Sequence, residues 1–310
     1  MPQTEPLAMV HLRFIQCDFK MSITRRELIA ALGTLAATSN LYADQSSQQQ
    51  SRQLLKGLAC NMESWWTDLD FMQRFERAAQ SGFSSIEFWE HNKNKRNMNA
   101  VAALARKLDL NIVQFTGWGG PSLADTSNHN DFIETMKRVT EIAHRLDAPM
   151  FTVVGHQTVK TIPQTASLAN LSLALETAAP ILEDAKKMLI LEPFNPVDHQ
   201  GHFLNGSVDA LRICREIDSP FIKINWDLYH MQLTEGNIVE NLYAGIDQVG
   251  YIQVADIPGR HQPGSGELNY NFIFNTIDDI GYKGPIGLEC WPENNDEKQA
   301  IADIIVQRFG

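Results

Sequence analysis

Cysteine is scarce in this chain. Four are present among 310 residues, Cys17, Cys60, Cys214 and Cys290, and no two stand at the spacing of a zinc finger or of a disulfide-stapled module. That excludes a structural zinc fold and a small secreted disulfide scaffold. Basic residues are also in deficit: 26 Lys and Arg against 37 Asp and Glu give a formal net charge of −11. Binding a nucleic acid needs a basic footprint, so DNA and RNA are excluded as partners. Beyond Asp44 no apolar run is long enough to span a bilayer. The first apolar run after it, Leu55 to Cys60, leads into Asn61-Met62-Glu63, which lacks the glycine-rich turn of a dinucleotide-binding sheet. The rest is ordinary globular composition, 44% hydrophobic and 20% charged.

The N-terminal part reads as a separate unit. Residues 1–20 are expected to be an over-extended start, with Met21 as the true one. Thr24-Arg25-Arg26-Glu27-Leu28, the short apolar stretch Ile29 to Ala37 and the small-x-small-like Leu41-Tyr42-Ala43 together form a twin-arginine-type export signal over 21–43. The polar segment 44–54 is expected as a disordered linker. The catalytic domain is then 55–310. Its expected location is periplasmic, or cytoplasmic if the signal is not used, with no membrane association after signal cleavage.

From Leu55 onward short apolar runs alternate with amphipathic stretches. The runs are 55–60, 85–89, 110–115, 150–154, 188–191, 221–226, 249–254 and 285–288. Helical periodicity fills the intervals at 68–81, 97–108, 131–146, 162–187, 207–217, 237–246 and 271–280, and 296–308 closes the chain as a helix; 116–128 reads as a long loop. Alternation of this kind implies a parallel sheet with right-handed crossovers, and eight units in about 250 residues favour a single closed (β/α)8 barrel, a TIM barrel, over an open sheet.

Four polar residues stand at the ends of the later runs, each about one strand–helix repeat from the next: Glu192, Asp227, Gln253 and Glu289. Strand C-termini of a barrel converge on one mouth, so these side chains should meet there. Three carboxylates gathered in one place repel unless a cation lies among them. Carboxylate and amide oxygens are hard donors, which selects one divalent ion of the Mg²⁺, Mn²⁺ or Co²⁺ type rather than zinc.

The neighbouring residues carry a pattern: Glu192-Pro193-Phe194-Asn195-Pro196-Val197-Asp198-His199, Asp227-Leu228-Tyr229-His230, Gln253-Val254-Ala255-Asp256-Ile257-Pro258-Gly259-Arg260-His261, Gly266-Glu267-Leu268 and Gly287-Leu288-Glu289. In this order they resemble the hydroxypyruvate isomerase family of xylose-isomerase-like barrels. The resemblance implies that Glu192 and Glu289 are an acid/base pair as well as metal ligands, with Asp227 and Gln253 as the other two ligands. It further implies substrate contacts from His230 and Arg260, and a supporting or loop-anchoring role for Glu267. The implied reaction is exchange between an aldose-type and a ketose-type hydroxy carbonyl through an enediolate, with hydroxypyruvate and tartronate semialdehyde as the family's substrates. Gln262, where an acidic residue usually follows the Arg-His pair, His156 and the export signal depart from the family pattern, and these departures bear on the substrate more than on the chemistry.

Two other readings stay open at this level: a periplasmic sugar epimerase, isomerase or keto-sugar lyase of the same superfamily, and a non-catalytic sugar-binding barrel. The partner in each case is a small hydroxy carbonyl or sugar, and homo-oligomerisation is left open. Asp198 either binds a substrate hydroxyl or caps its loop. His199 and His202 read as solvent-facing, 93–96 as a solvated basic loop, Cys290 as a buried structural thiol, and Glu63 and Glu87 as members of salt bridges at the first two strands. Trp65, Trp66, Trp89, Trp118 and Trp291 fall near strand tops, where aromatic walls exclude water.

Overall fold

A computed structural model describes residues 49–154 and 156–310. The export signal expected over 21–43, the start before it and the first part of the linker lie outside the described residues. Residues 49–54, expected as linker, are helical instead. Ser51 lies where a side chain at Gly82 would clash, and Arg52 Nη1 reaches Asp109 at 3.0 Å. These tertiary contacts order a segment whose polar composition alone does not fold.

Eight parallel strands close on themselves in sequence order: β1 (Leu58–Asn61), β2 (Ser85–Glu90), β3 (Asn111–Trp118), β4 (Met150–Val153), β5 (Met188–Leu191), β6 (Ile222–Asp227), β7 (Val249–Gln253) and β8 (Ile286–Leu288), with β8 pairing back onto β1. The helices are α1 (Phe71–Gln80), α2 (Met98–Lys107), α3 (His129–Leu146), α4 (Gln164–Ala185), α5 (Ser207–Ile217), α6 (Leu228–Thr234), α7 (Ile238–Gly245), α8 (Tyr270–Asp279) and α9 (Glu297–Phe309). Strands such as Met188-Leu-Ile-Leu are covered on both faces, which is why they read as unbroken apolar runs rather than as alternating ones. Helix starts follow local chemistry: Asp70 and Gln73 form a capping box on α1, and Asn97 Oδ1 accepts the N–H groups of Asn99 and Ala100 on α2.

Two corrections to the sequence reading concern the mouth. β3 runs on to Trp118 where a loop was expected from 116. α6, absent from the sequence reading, begins directly at the end of β6, with Asp227 as its N-cap and the Tyr229 N–H donating to Asp227 Oδ1 at 2.9 Å.

The barrel interior is layered. Ala59, Val113, Met150, Ile190 and Tyr251, from five different strands, form an apolar cluster. Two residues further along four of these strands, the strand period turns the next side chains inward as well, and these are polar: Asn61, Thr152, Glu192 and Gln253; β3, where the register shifts, contributes Gln114 instead, and Glu87 and Asn225 join them. They hydrogen-bond to one another or open onto the mouth. Gly287 on β8 makes room for this layer, since a Cβ there would lie 2.6 Å from Tyr251 Oη and 2.8 Å from Glu87 Oε1. Gly287→Ala should therefore overpack the interior and cost about 1–3 kcal/mol. The expected signature is a lower urea midpoint with an unchanged m-value; an unchanged midpoint would show that the layer yields freely.

Candidate active site

Glu192, Asp227, Gln253 and Glu289 come together at the C-terminal mouth as buried groups. Pro193 cannot donate to a sheet ladder, so β5 ends just before Glu192 and leaves its carboxylate at the rim. Arg260 ties two of the four: its Nη2 donates to Asp227 Oδ2 at 2.6 Å and to Glu289 Oε1 at 2.8 Å. Gln253 Nε2 donates to the other oxygen of Glu289 and, at 3.1 Å, to both oxygens of Glu87, while Gln253 Oε1 accepts from Asn225 Nδ2 at 2.6 Å.

His230, on the first turn of α6, has Nε2 3.4 Å from Asp227 Oδ2 and 3.6 Å from Glu192 Oε1. Among the described residues, these are the His, Cys, Asp and Glu side chains that bring three ligand atoms within 4.8 Å of one another, close enough to share an ion. The tautomer decides otherwise. Asn195 Oδ1 accepts the backbone N–H groups of Val197 and Asp198, which turns its amide nitrogen toward His230 Nδ1 at 2.6 Å. Nδ1 is then an acceptor, and the ring proton sits on Nε2. A protonated Nε2 cannot bind metal; it is a hydrogen-bond donor aimed into the mouth. Burial, then the charge of Arg260, holds His230 well below its usual pKa, so the ring is neutral.

The electrostatics are lopsided. Burial raises the Glu192 carboxyl well above the carboxylate range, and the charges of Glu289 and Asp227 raise it further. Glu289 is pushed up to about 8, chiefly by burial, with Arg260 opposing and Asp227 and Glu87 adding. Burial likewise raises Asp227 against the pull of Arg260, and Glu87 against the amides of Gln114, Asn61 and Gln253. Burial works against charge on Arg260 too, but Glu289, Asp227 and Glu192 more than compensate and raise it. One guanidinium thus faces three buried carboxylates, and a fourth, Glu87, lies behind them among amides. The donor set of Glu192, Asp227, Glu289 and the Gln253 oxygen fits a hard divalent cation, which would balance the remaining charge.

A scan against family models matches residues 75–308 to the xylose isomerase-like TIM barrel. The chain belongs to that family. It is 32% identical to a 2-oxo-tetronate isomerase of Cupriavidus necator over 260 residues, covering 76% of this chain and 92% of the relative. It is 29% identical to the hydroxypyruvate isomerase of Escherichia coli, covering 77% and 95%. Among solved structures it superposes on a family 2 AP endonuclease from Brucella melitensis with a TM-score of 0.72 at 24% identity, covering 76% and 93%. It also superposes on a 3-keto-D-glucoside 4-epimerase from Escherichia coli in apo form at 0.65 and 22%, covering 76% and 92%. At those identities the two structures support the fold alone. Both curated relatives are isomerases, and this member of the xylose isomerase-like barrels is an enzyme of that class.

Several sequence-level readings change within this barrel. Arg260 lies against two carboxylates rather than standing free. Its loop is built around Asp256, which the sequence reading quoted without a role: the Asp256 carboxylate accepts N–H groups from Ile257, Gly264, Gly266 and Leu268. Gly266 is required there, because a Cβ would lie 2.1 Å from the Ile257 carbonyl oxygen. Glu267 gives its backbone N–H to Ile257 O, and the residue is exposed where the four converging groups are buried. Gln262 fastens the loop to the C-terminal helix through Asp303 at 3.0 Å. Among the described residues Glu87 forms no salt bridge; its hydrogen-bond donors there are neutral amides. Glu63 pairs with Arg96 and Lys93, as expected of a structural ion pair; Lys93, Asn94 and Lys95 are exposed, as the solvated-loop reading has it, and Arg96 is partly buried.

Asp198 accepts from Tyr229 Oη at 2.8 Å and from Asn195, bracing the loop that orients His230. His199 and His202, expected to face solvent, are half-buried: His199 stacks on Phe194 with ring centroids 4.0 Å apart and stands edge-on to His230 at 5.2 Å. Trp291 and Tyr229 flank the Arg260 guanidinium. Cys290 is buried and unpaired, as read.

The raised carboxyls give the protein an unusual pH response when no divalent ion is bound. Glu289 titrates near 8 folded and near 4.5 unfolded, so between these values the folded chain holds more protons and stability rises as pH falls. Below about 6.5 the depressed histidines His156, His202 and His230 oppose this, because the unfolded chain then gains protons on them. Chelator-treated protein should therefore melt at a higher temperature at pH 6.5 than at pH 8. The opposite slope would mean that the carboxyls are ionised and already balanced.

Proposed function

We propose that this chain interconverts the aldose-type and ketose-type forms of a short hydroxy-carbonyl acid by proton transfer between adjacent carbons, with hydroxypyruvate or a 2-oxo-tetronate as the substrate class. The observation that carries this reading is the pairing of Glu192 and Glu289, two buried carboxyls of raised basicity, with one guanidinium in the same mouth. A divalent ion held by Glu192, Asp227, Gln253 and Glu289 would supply Lewis-acid polarisation of the carbonyl and neutralise developing charge.

The residues of the chain do the rest. A carboxylate with a pKa near neutrality is a better base than an exposed one and still gives its proton back. One glutamate removes the proton from the carbon beside the carbonyl, and its partner returns a proton to the neighbouring carbon. The hydroxyl proton moves to the former carbonyl oxygen, so the formula is unchanged and no external oxidant or reductant takes part. The His230 Nε2–H donates to an oxygen that gains charge along the way. The Arg260 Nε is buried without an acceptor among the described residues. A substrate carboxylate would satisfy that nitrogen through a charge-assisted bond, and this favours an acid over a neutral sugar. Tyr229 and Trp291, against the guanidinium, keep water from it.

The test is turnover of hydroxypyruvate and 2-oxo-tetronate by purified protein supplied with Mn²⁺ in deuterated water. The expected result is deuterium at carbon in the product, with Glu289→Gln slowing turnover about 10²–10⁴-fold. Product formed without deuterium uptake would point to a hydride shift and rule out the proton-transfer reading.

A further inference from the structure

Glu87, on β2, lies two strands round the barrel from β8 and its ligand Glu289, fully buried, and no step above uses it. Its Oε1 accepts from Asn61 Nδ2 at 3.0 Å, its Oε2 accepts from Gln114 Nε2 at 2.8 Å, and both accept from Gln253 Nε2 at 3.1 Å. The orientation of Asn61 is fixed independently, because its Oδ1 is taken by the Glu63 N–H at 2.8 Å. Gln114 Oε1 accepts from the Thr152 hydroxyl at 2.9 Å, a partner that could equally accept, so its amide follows Glu87 rather than constraining it. Both amides turn nitrogen toward Glu87. An ionised carboxylate only accepts, so the part of Gln253 that faces it must be nitrogen too. One Gln253 N–H goes to Glu87 and the other to Glu289. The Gln253 oxygen is forced to the opposite side, where Asn225 uses one lone pair at 2.6 Å and leaves the second free.

We propose that Glu87 is a positioning residue: it locks the Gln253 side-chain amide so that oxygen, never nitrogen, is offered to a divalent cation, and so that the remaining N–H steadies the Glu289 carboxylate. This rests on the reading of Gln253 as a ligand. Without an anionic acceptor at 87, the amide can turn by half a rotation at little steric cost, because its two ends are nearly the same size. Every molecule turned that way presents N–H groups to the ion and cannot bind it. Partners behind a ligand of this kind carry about a 10–100-fold effect on metal affinity.

The experiment is calorimetric titration of chelator-treated full chain with Mn²⁺, comparing wild type with Glu87→Gln. The expected result is one site in the wild type and, in the variant, an affinity lower by about tenfold or more. The melting temperature of the metal-free variant should not fall, since one buried charge has been removed. Equal affinity in both proteins would overturn the role of Glu87 and leave the metal reading standing. A wild type that takes up no Mn²⁺ would overturn the metal reading itself, and the proposal with it. If Glu87→Gln does not fold, the wild type decides: ¹⁵N-labelled glutamine side chains, with Gln253 assigned by its loss in Gln253→Leu, should show both Gln253 amide protons protected from exchange with and without Mg²⁺. Exchange as fast as that of an exposed glutamine would contradict the lock.

Discussion

Four carboxylates, Glu87, Glu192, Asp227 and Glu289, are withdrawn from water with one guanidinium, Arg260, set against the last three. Burying unpaired charge is among the costliest things a fold can do. The chain meets that cost in three ways. Amide donors from Asn61, Gln114 and Gln253 surround Glu87; Arg260 bridges Asp227 and Glu289; and protonation of raised carboxyls removes part of the remainder. Even so, negative charge remains in excess, and a divalent cation is the simplest partner for it.

The barrel exists to hold that imbalance still. A lower interior layer of Ala59, Val113, Met150, Ile190 and Tyr251 is apolar and gives a close-packed base. The layer above it is polar and cross-linked, so Gln253 and Glu289 are held by other side chains at or below the rim rather than by a loop alone. His230 shows the logic. Its position comes from a helix capped by Asp227, and its tautomer from Asn195, whose own orientation is set by two backbone N–H groups. The Arg260 loop is likewise organised from within, by four N–H donors converging on Asp256. As an isomerase of the xylose isomerase-like family, the chain places its chemistry at the strand C-termini, where this architecture lets the ends of several strands meet.

Much of this was legible in the sequence because the signals were local. Buried parallel strands announce themselves as short apolar runs, and the eight expected runs match the eight strands to within a few residues at their ends. Glu192, Asp227, Gln253 and Glu289 stood out because each ends such a run. What stayed hidden depended on partners distant in the chain. α6 has seven residues, too few for a 3.6-residue period to show, although the Asp227 cap was a usable sign of its start. Glu87 read as an ordinary strand charge, since its amide partners come from β1, β3 and β7. Arg260 read as a free clamp because nothing in sequence places it between Asp227 and Glu289. Glu267 sat in a convincing motif, but the residue is exposed where the four converging groups are buried.

The central claim is that the mouth holds a divalent cation, and anomalous diffraction from crystals grown with Mn²⁺ tests it most directly. The account predicts a strong anomalous peak bounded by Glu192, Asp227, Gln253 and Glu289, with the Arg260 guanidinium withdrawn from at least one carboxylate. Crystals in Mn²⁺ that show no peak there, with Arg260 still bridging Asp227 and Glu289, would contradict it.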